Sequence, residues 1–398
     1  VQFTTTGAGT KIGGLTGDGK VFMAINQASD PEIAIVTDDN QYFVIDTSND
    51  TIAQSTASNL PNVSSVDFLD GYLVFSEADS GNIWHTNLNA ANTVDATAFS
   101  AAESDPDNLI RVKAHNGFLY AFGTESTEIW RNVGTQPFAF TPEDADIDVG
   151  CIAPHSVVEV TGGRTGREGL AWVDNYGTVR LMSGNSHGVI STPSVSRAIE
   201  DLSATQRANI EAWRYWHEGH EFLAIKSAAW TWEYDFTTGV WHERKSQGLN
   251  RWKAQRYVSF DGKDIVGSED DGKLFTIDAD ASDEDGDALI FTAISGPIHD
   301  FPNHLTAHAL ELDMITGVGT ASVPDPQVMI DLSRNGGKTY TRQWTRSMGG
   351  VGEYSRRIRV NRLGRATEKG FTVKVSSSAA VTRGIMNADM KVESDSDE

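Results

Sequence analysis

The stretch Gly71–Thr86, "GYLVFSEADSGNIWHT", holds an apolar run, a polar turn and a second run that ends in aromatics. Tyr72–Phe75 is a continuous apolar run and Ile83-Trp84 a second apolar pair, set either side of the turn residues Asp79, Ser80 and Gly81, the pattern of two strands joined by a hairpin turn. Five further stretches read the same way: "IAIVTDDNQYFVID", "GFLYAFGTESTEIWRN", "GLAWVDNYGTVRLM", "HEFLAIKSAAWTWEYD" and "KDIVGSEDDGKLFTID". The equivalent second-run positions are Phe43, Ile83, Ile129, Val179, Trp232 and Leu274. Their spacing is close to that of a four-stranded propeller blade, which takes about 40–50 residues and cannot bury both faces without neighbours. The expected fold is therefore all-β, a six- or seven-bladed β-propeller over residues 1–285.

Helix is scarce in this pattern. Ser194–Trp213, beyond Pro193, carries a partial helical stripe of Ile199, Leu202 and Ile210 and reads as a short helical insertion near 194–213. From Ile290 the alternation resumes at a different spacing in about six strands, which predicts a C-terminal β-sandwich over 286–398 with an acidic tail, "ESDSDE". Between the two lies "DADASDEDGD", Asp278–Asp287. Its alternate acids resemble a calcium loop, but the glycine misses the sixth position and no glutamate closes the twelfth, so an exposed turn or linker is the better reading.

Composition narrows the function classes. The chain has 398 residues, 39% of them hydrophobic, with 37 glycines and 11 prolines. That balance is globular and turn-rich. Its one cysteine, Cys151, excludes an intrachain disulfide and a multi-cysteine metal site. No run of about 18 apolar residues marks a membrane helix. The net charge of −23 is unevenly spread: residues 1–329 carry 19 Lys+Arg against 47 Asp+Glu, residues 330–392 carry 13 against 4, and the tail adds 4 acids, so −28 + 9 − 4 = −23. An acidic body with a basic end predicts two surfaces with different partners.

The chemical look-alikes are weak. His217-Glu218-Gly219-His220 begins like a zinc-protease signature, but its histidines are three apart in a strand-like context, and odd spacing along one strand predicts opposite faces. His304 and His308 are four apart in an alternating stretch with no third ligand apparent, so no metal site is expected. Six tryptophans cluster in Trp213–Trp252, readable as a sugar platform or as core, with core the better reading because wedge-shaped blades recruit large aromatics. "SRNGGKTY", Ser333–Tyr340, fits the Asp-box hairpin with Asn335 for Asp and Tyr340 for Trp, a turn whose aromatic is expected to pack beneath. Nucleophile elbow, phosphate loop and dinucleotide fingerprint are all missing, so no catalytic or cofactor residue is assigned. In "RRIRVNRLGR", Ile358 and Val360 should face the core, leaving Arg357 and Arg359 outside and Arg362 and Arg365 near the following turn. That array is either a solvated sheet face or a docking surface for an acidic neighbour or DNA phosphates.

Taken in order, "SDPDNLIRVKAHNGFLYAFGTESTEIW", "WHEGHEFLAIKSAAWTWEYDFTTGVWHER", "DPQVMIDLSRNGGKTYT" and "RRIRVNRLGRATEKGFTVKV" resemble the packaged-DNA stabilisation proteins of short-tailed bacteriophages, tail accessory factors that form the tail hub. The resemblance runs from about Val21 to Glu393 and rests on motif order and spacing. It implies a non-enzymatic virion protein built from a propeller and a sandwich, made in the host bacterial cytoplasm and placed in the tail. Implied partners are the portal or adaptor (head-to-tail) proteins, the tail needle or plug, tailspike or fibre proteins, and further copies in a ring, six being expected. No membrane and no cofactor are implied, and DNA contact is at most through the channel. Members of that family carry a further N-terminal segment before the equivalent of Val1, which leaves the blade count open. The rival reading is an Asp-box glycosidase or glycan-binding propeller.

Overall fold

The computed structural model describes residues 2–3, 9–17, 19–102, 107–144, 147–163, 166, 168–184 and 186–395. Two compact units divide the chain, Val1–Lys245 with Asn250–Ile277, and Ser246–Leu249 with Asp278–Glu398. Among the described residues no helix is long and apolar enough to cross a membrane.

The first unit is the propeller. Its sheets run consecutively in sequence, each strand antiparallel to the one before. Their first strands are Phe22–Ile25, Val63–Leu69, Leu109–His115, Val158–Val160, Glu211–His217 and Ala254–Phe260. Blades 1 to 5 have four strands and blade 6 has three, so the lower of the two expected counts is the one found among the described residues. All six positions picked out by the repeat fall on the third strand of a blade: Phe43 in Tyr42–Asp46, Ile83 in Asn82–His85, Ile129 in Thr127–Asn132, Val179 in Val179–Ser183, Trp232 in Thr231–Asp235 and Leu274 in Leu274–Thr276.

Punctuation by turn residues explains the regularity. In blades 2, 3, 5 and 6 the first two strands are joined by two residues, Asp70-Gly71, Asn116-Gly117, Glu218-Gly219 and Asp261-Gly262, all at positive φ. Two left-handed residues in a row match the right-handed strand twist, and Asn-Gly or Asp-Gly meets that demand at least strain. Neighbouring blades then share apolar clusters. Leu73 and Phe75 join blades 1 and 2, Trp130 lies between 2 and 3, Trp172 between 3 and 4, Trp230 and Trp241 between 4 and 5, and Trp213 and Trp252 between 5 and 6. Among the described residues no comparable cluster joins blade 6 to blade 1, and Met23, Ile25, Val258 and Phe260, on the first strands of those two blades, remain exposed.

The helical insertion is split in two. Helix α1, Pro193–Glu200, starts on a proline and buries Val195 and Ile199 against blades 4 and 5. Helix α2, Ala204–Ala208, begins at Ser203, whose side chain and that of Gln206 satisfy each other's backbone N–H groups in a capping box. The strand that carries Trp213 starts already at Glu211, so the insertion is shorter than the stretch read as helical.

The second unit is the sandwich. One sheet has the order Phe291–Ile294, Thr372–Ser377, Gln327–Ser333, Tyr340–Ser347, and the other Ile358–Arg365, His304–Met314, Ile385–Asp395. Leu310, Leu312, Ile330, Ile358, Val360, Phe371 and Val375 meet between them in one core. These are seven strands against about six expected, because the Asp-box stretch is itself a hairpin of two. The acidic decapeptide forms a small hairpin, Asp283–Glu284 with Asp287–Ala288, turning at Asp285-Gly286. Of the acidic tail, Glu393, Ser394 and Asp395 complete the last strand, while residues 396–398 lie outside the described residues.

Candidate functional site

The basic strand of the sandwich is the first candidate. Ile358 and Val360 are buried and Arg357 and Arg359 point away from the core, as alternation requires. Arg362 does not sit near the following turn as expected but lies inside the strand Ile358–Arg365, whereas Arg365 closes that strand shortly before the turn at Thr367–Gly370. A bulge makes this possible. Arg362 takes φ 60°, and the pairing with His304–Met314 skips a residue there. Leu363 is thereby turned into the core where strict alternation would have placed Arg362. Arg357 grips Glu311 through Nε at 2.7 Å and Nη2 at 2.8 Å from its two carboxylate oxygens. Arg359 donates to Asn361 Oδ1 at 3.0 Å and lies 4.0 Å from Glu311, while Arg365 lies 3.4 Å from Asp395. Much of this charge is met within its own sheet.

The second site was not legible as a site beforehand. The first strands of all six blades line one cavity of about 620 Å³ along the propeller axis. Here the Phe22 ring of blade 1 stacks on the His155 ring ahead of blade 4, with centroids 4.1 Å apart and planes 5° from parallel. The Arg111 guanidinium of blade 3 covers the Phe22 ring at 4.8 Å and donates through Nη1 to Pro154 O and Val157 O at 2.7 and 2.8 Å. Arg256 of blade 6 donates to His155 Nδ1 at 3.2 Å and to Ala212 O at 3.4 Å, and its Nε lies 3.4 Å from Glu211. Burial, with Arg256, Arg111 and Lys20 adding to it, pushes the His155 imidazole down to about 2, so the ring is neutral and accepts from Arg256. Arg111 is lowered to about 10 by burial and stays protonated at neutral pH. Lys113 Nζ donates to Asp67 at 2.7 Å, and the buried Glu221 carboxylate, held by the Thr161 and Gly163 N–H groups, lies 3.5 Å from Arg214. Chemically this arrangement offers guanidinium donors and aromatic faces, the means to hold an anion.

The family model described as "Bacteriophage P22 Gp10, beta-propeller" matches residues 1–282, and the one described as "Bacteriophage P22 Gp10, beta-sandwich" matches residues 297–393. The chain belongs to the P22 Gp10 family. It is thus a P22 Gp10-like phage structural protein, and the resemblance noted in the sequence is correct. No curated protein matches the chain. Among solved structures, the computationally designed Ika8 protein is 11% identical over 64% of this chain and 70% of its own, with a TM-score of 0.37. An exo-β-1,3-galactanase from Phanerochaete chrysosporium is 9% identical over 93% of this chain and 95% of its own, with a TM-score of 0.31. At such scores neither likeness carries an argument about this Gp10-family chain.

The look-alikes resolve into parts of the Gp10-type scaffold. His217 and His220 do not lie on opposite faces of one strand. They are paired directly across a two-residue turn and therefore share a face, because cross-strand partners point the same way. His220 Nδ1 lies 2.9 Å from Asp235, a partner in the same blade. His304 and His308 contact Ala366 O at 2.9 Å and Glu393 at 3.2 Å. Among the described residues no group of three or more histidine, cysteine or acidic side chains is placed to hold a metal. Of the clustered tryptophans, Trp213, Trp230, Trp241 and Trp252 are buried and Trp232 packs against them, whereas Trp216 is 36% exposed and lines the channel cavity. The Asp-box turn forms as expected, with Asn335 Oδ1 accepting from Thr339 N and Ser333 Oγ from Gly337 N, both at 2.9 Å. Its aromatic does not pack beneath: Tyr340 is 38% exposed, since the strand it opens lies at the edge of its sheet.

Proposed function

We propose that this protein is a structural component of the tail hub of a short-tailed phage, standing below the portal and its adaptor and helping to seal packaged DNA in the capsid. The observation that carries the reading is the match of both parts of the chain, in order, to the two Gp10 family models. The propeller, about residues 1–285, and the sandwich, about residues 286–398, are the two bodies that would present surfaces to neighbours. Several copies, six in the expected ring, would turn modest single contacts into a tight assembly through symmetry and avidity. Neighbours would be the portal or adaptor proteins, the needle or plug, tailspike or fibre proteins, and further copies of the chain.

Arg357, Arg359, Arg362 and Arg365 supply the docking surface in this reading. Arg357 already holds Glu311 and Arg365 lies beside Asp395, so carboxylates of an acidic neighbour would meet the N–H donors these exposed guanidiniums have left. Mass spectrometry of purified virions tests the location, and particles made without the gene test the role: they should package DNA and then lose it. Virions lacking the chain, or particles that retain DNA without it, would sink the proposal. Charge reversal of the four arginines should block incorporation while leaving the chain folded; unchanged incorporation removes the docking assignment alone.

A further inference from the structure

The channel cavity departs from the charge of everything around it. Residues 1–277 carry 19 Lys+Arg and 37 Asp+Glu, a net of 19 − 37 = −18. Yet the cavity is lined by Arg111, Lys113, Arg214 and Arg256 against Asp67 and Glu159. Asp67 and Lys113 take each other up at 2.7 Å, Asp67 also accepting from the Ala114 N–H at 2.9 Å, which leaves Arg111, Arg214 and Arg256 against Glu159 on the lining. A cationic pocket in an acidic body attracts anions while its surroundings repel competing bulk, and low-dielectric walls focus that field.

Two of these arginines are built to face a ligand. Arg256 takes φ 52° at a bulge where the pairing of its strand skips a residue. A non-glycine residue in that region is held there by its surroundings, and the bulge turns its side chain to the axis. Behind each arginine stands a buried carboxylate, Glu211 for Arg256 at 3.4 Å and Glu221 for Arg214 at 3.5 Å, with the two acids 4% and 0% exposed. Arg256 also donates to His155 Nδ1 at 3.2 Å and to Ala212 O at 3.4 Å, so each of its three nitrogens has one protein contact and one N–H on each terminal nitrogen is left for a ligand. The side chains of Arg256 and Arg214 are still 44% and 37% exposed. Trp216 is the exception among the clustered tryptophans, presenting exposed indole to the same cavity. Arginine forks beside an accessible indole are the means by which proteins hold a phosphate and stack a base. A volume of about 620 Å³ lies within the usual range of small-molecule sites.

We infer that the propeller channel is an anion-binding site for a phosphate ester of nucleotide size, with the phosphate on Arg214 and Arg256 and the base on Trp216. The site is independent of any role in a tail. Calorimetric titration of the full chain with adenosine monophosphate and with inorganic phosphate tests it, with R214Q, R256Q and W216A variants whose folding is verified by thermal melting. Both ligands should bind saturably with Kd of about 1 mM or tighter, and each arginine substitution should weaken both by about tenfold or more, the worth of a charge-assisted hydrogen bond. W216A should weaken the nucleotide alone, and phosphate should compete with it. Since loss of the Glu211 contact can cost R256Q its fold, R214Q decides the matter by itself. Absence of saturable binding by either ligand, or binding untouched by folded R214Q, overturns the proposal. Nucleotide binding no tighter than phosphate overturns the assignment of Trp216 and the ligand class.

Discussion

Phe22 and His155, 133 positions apart in the chain, lie ring on ring at 4.1 Å across the centre of the propeller. Phe22 is buried and carries Arg111 against its ring as well, so removing the ring opens a cavity that three blades share. Phe22→Ala should destabilise the propeller by about 3–5 kcal/mol, the usual cost of truncating a buried aromatic. Denaturant unfolding followed by tryptophan fluorescence measures this; a loss within error of zero would mean that the stack contributes nothing to closure.

Acid should act on the same centre. In the unfolded chain histidine protonates near pH 6.5. Folded His155 is pushed down to about 2 by burial and by Arg256, Arg111 and Lys20, and folded His85 is lowered chiefly by burial. Below about pH 6.5 the unfolded state therefore binds more protons, and stability should fall as pH falls, by about 1 kcal/mol per unit for each fully shifted group. Glu233 adds to the loss further down. Burial would raise its carboxyl, but Arg244, His242 and Tyr215 outweigh burial and hold it below its ordinary 4.5. Its contribution is complete above that ordinary value and disappears as pH falls through the lower folded one. Unfolding free energies between about pH 4 and 8 should show the histidine part as a slope that flattens in His155→Asn.

Cys151 gives an independent reading of closure. Its thiol is fully buried, and burial pushes it up to about 11, so at neutral pH almost no thiolate is available to attack a reagent. Labelling by a disulfide reagent should be slow in the native protein and rapid in denaturant. Fast native labelling would show that blades 3 and 4 part readily.

Surface and core should separate cleanly at the basic strand. The Arg357–Glu311 pair is bidentate, but the arginine side chain is 68% exposed. The net worth of so exposed a pair is at most about 1 kcal/mol. Arg357→Ala should leave the melting temperature nearly unchanged, whereas Ile358→Ala, next to it but fully buried, should cost about 2–5 kcal/mol. Equal losses from the two would contradict the alternation of this strand.

The repeat was legible because its signal is local. Leu73, Phe75, Ile83 and Trp84 bury themselves in strands set by short apolar runs and by turn residues a few positions away. The channel was not legible, since Phe22, Arg111, His155, Glu211 and Arg256 belong to five different parts of the sheet repeat and carry no shared motif. His217-Glu218-Gly219-His220 misled for the same reason: nothing in the spacing of two histidines says that a chain reversal falls between them, although the Glu-Gly dipeptide sits where other blades carry Asp-Gly or Asn-Gly.

Strand alternation and turn chemistry depend on neighbours in the chain, so the blades, their order and the sandwich that follows were already written in the residues. Gathering the blades around one cavity brings together residues as far apart as Arg256 and His155, 101 positions, and a one-residue bulge decides which side chain turns inward. Which charges meet at the axis, and which are answered within their own sheet, therefore emerged only once the chain was closed on itself, because those pairings are made across blades and not along a strand.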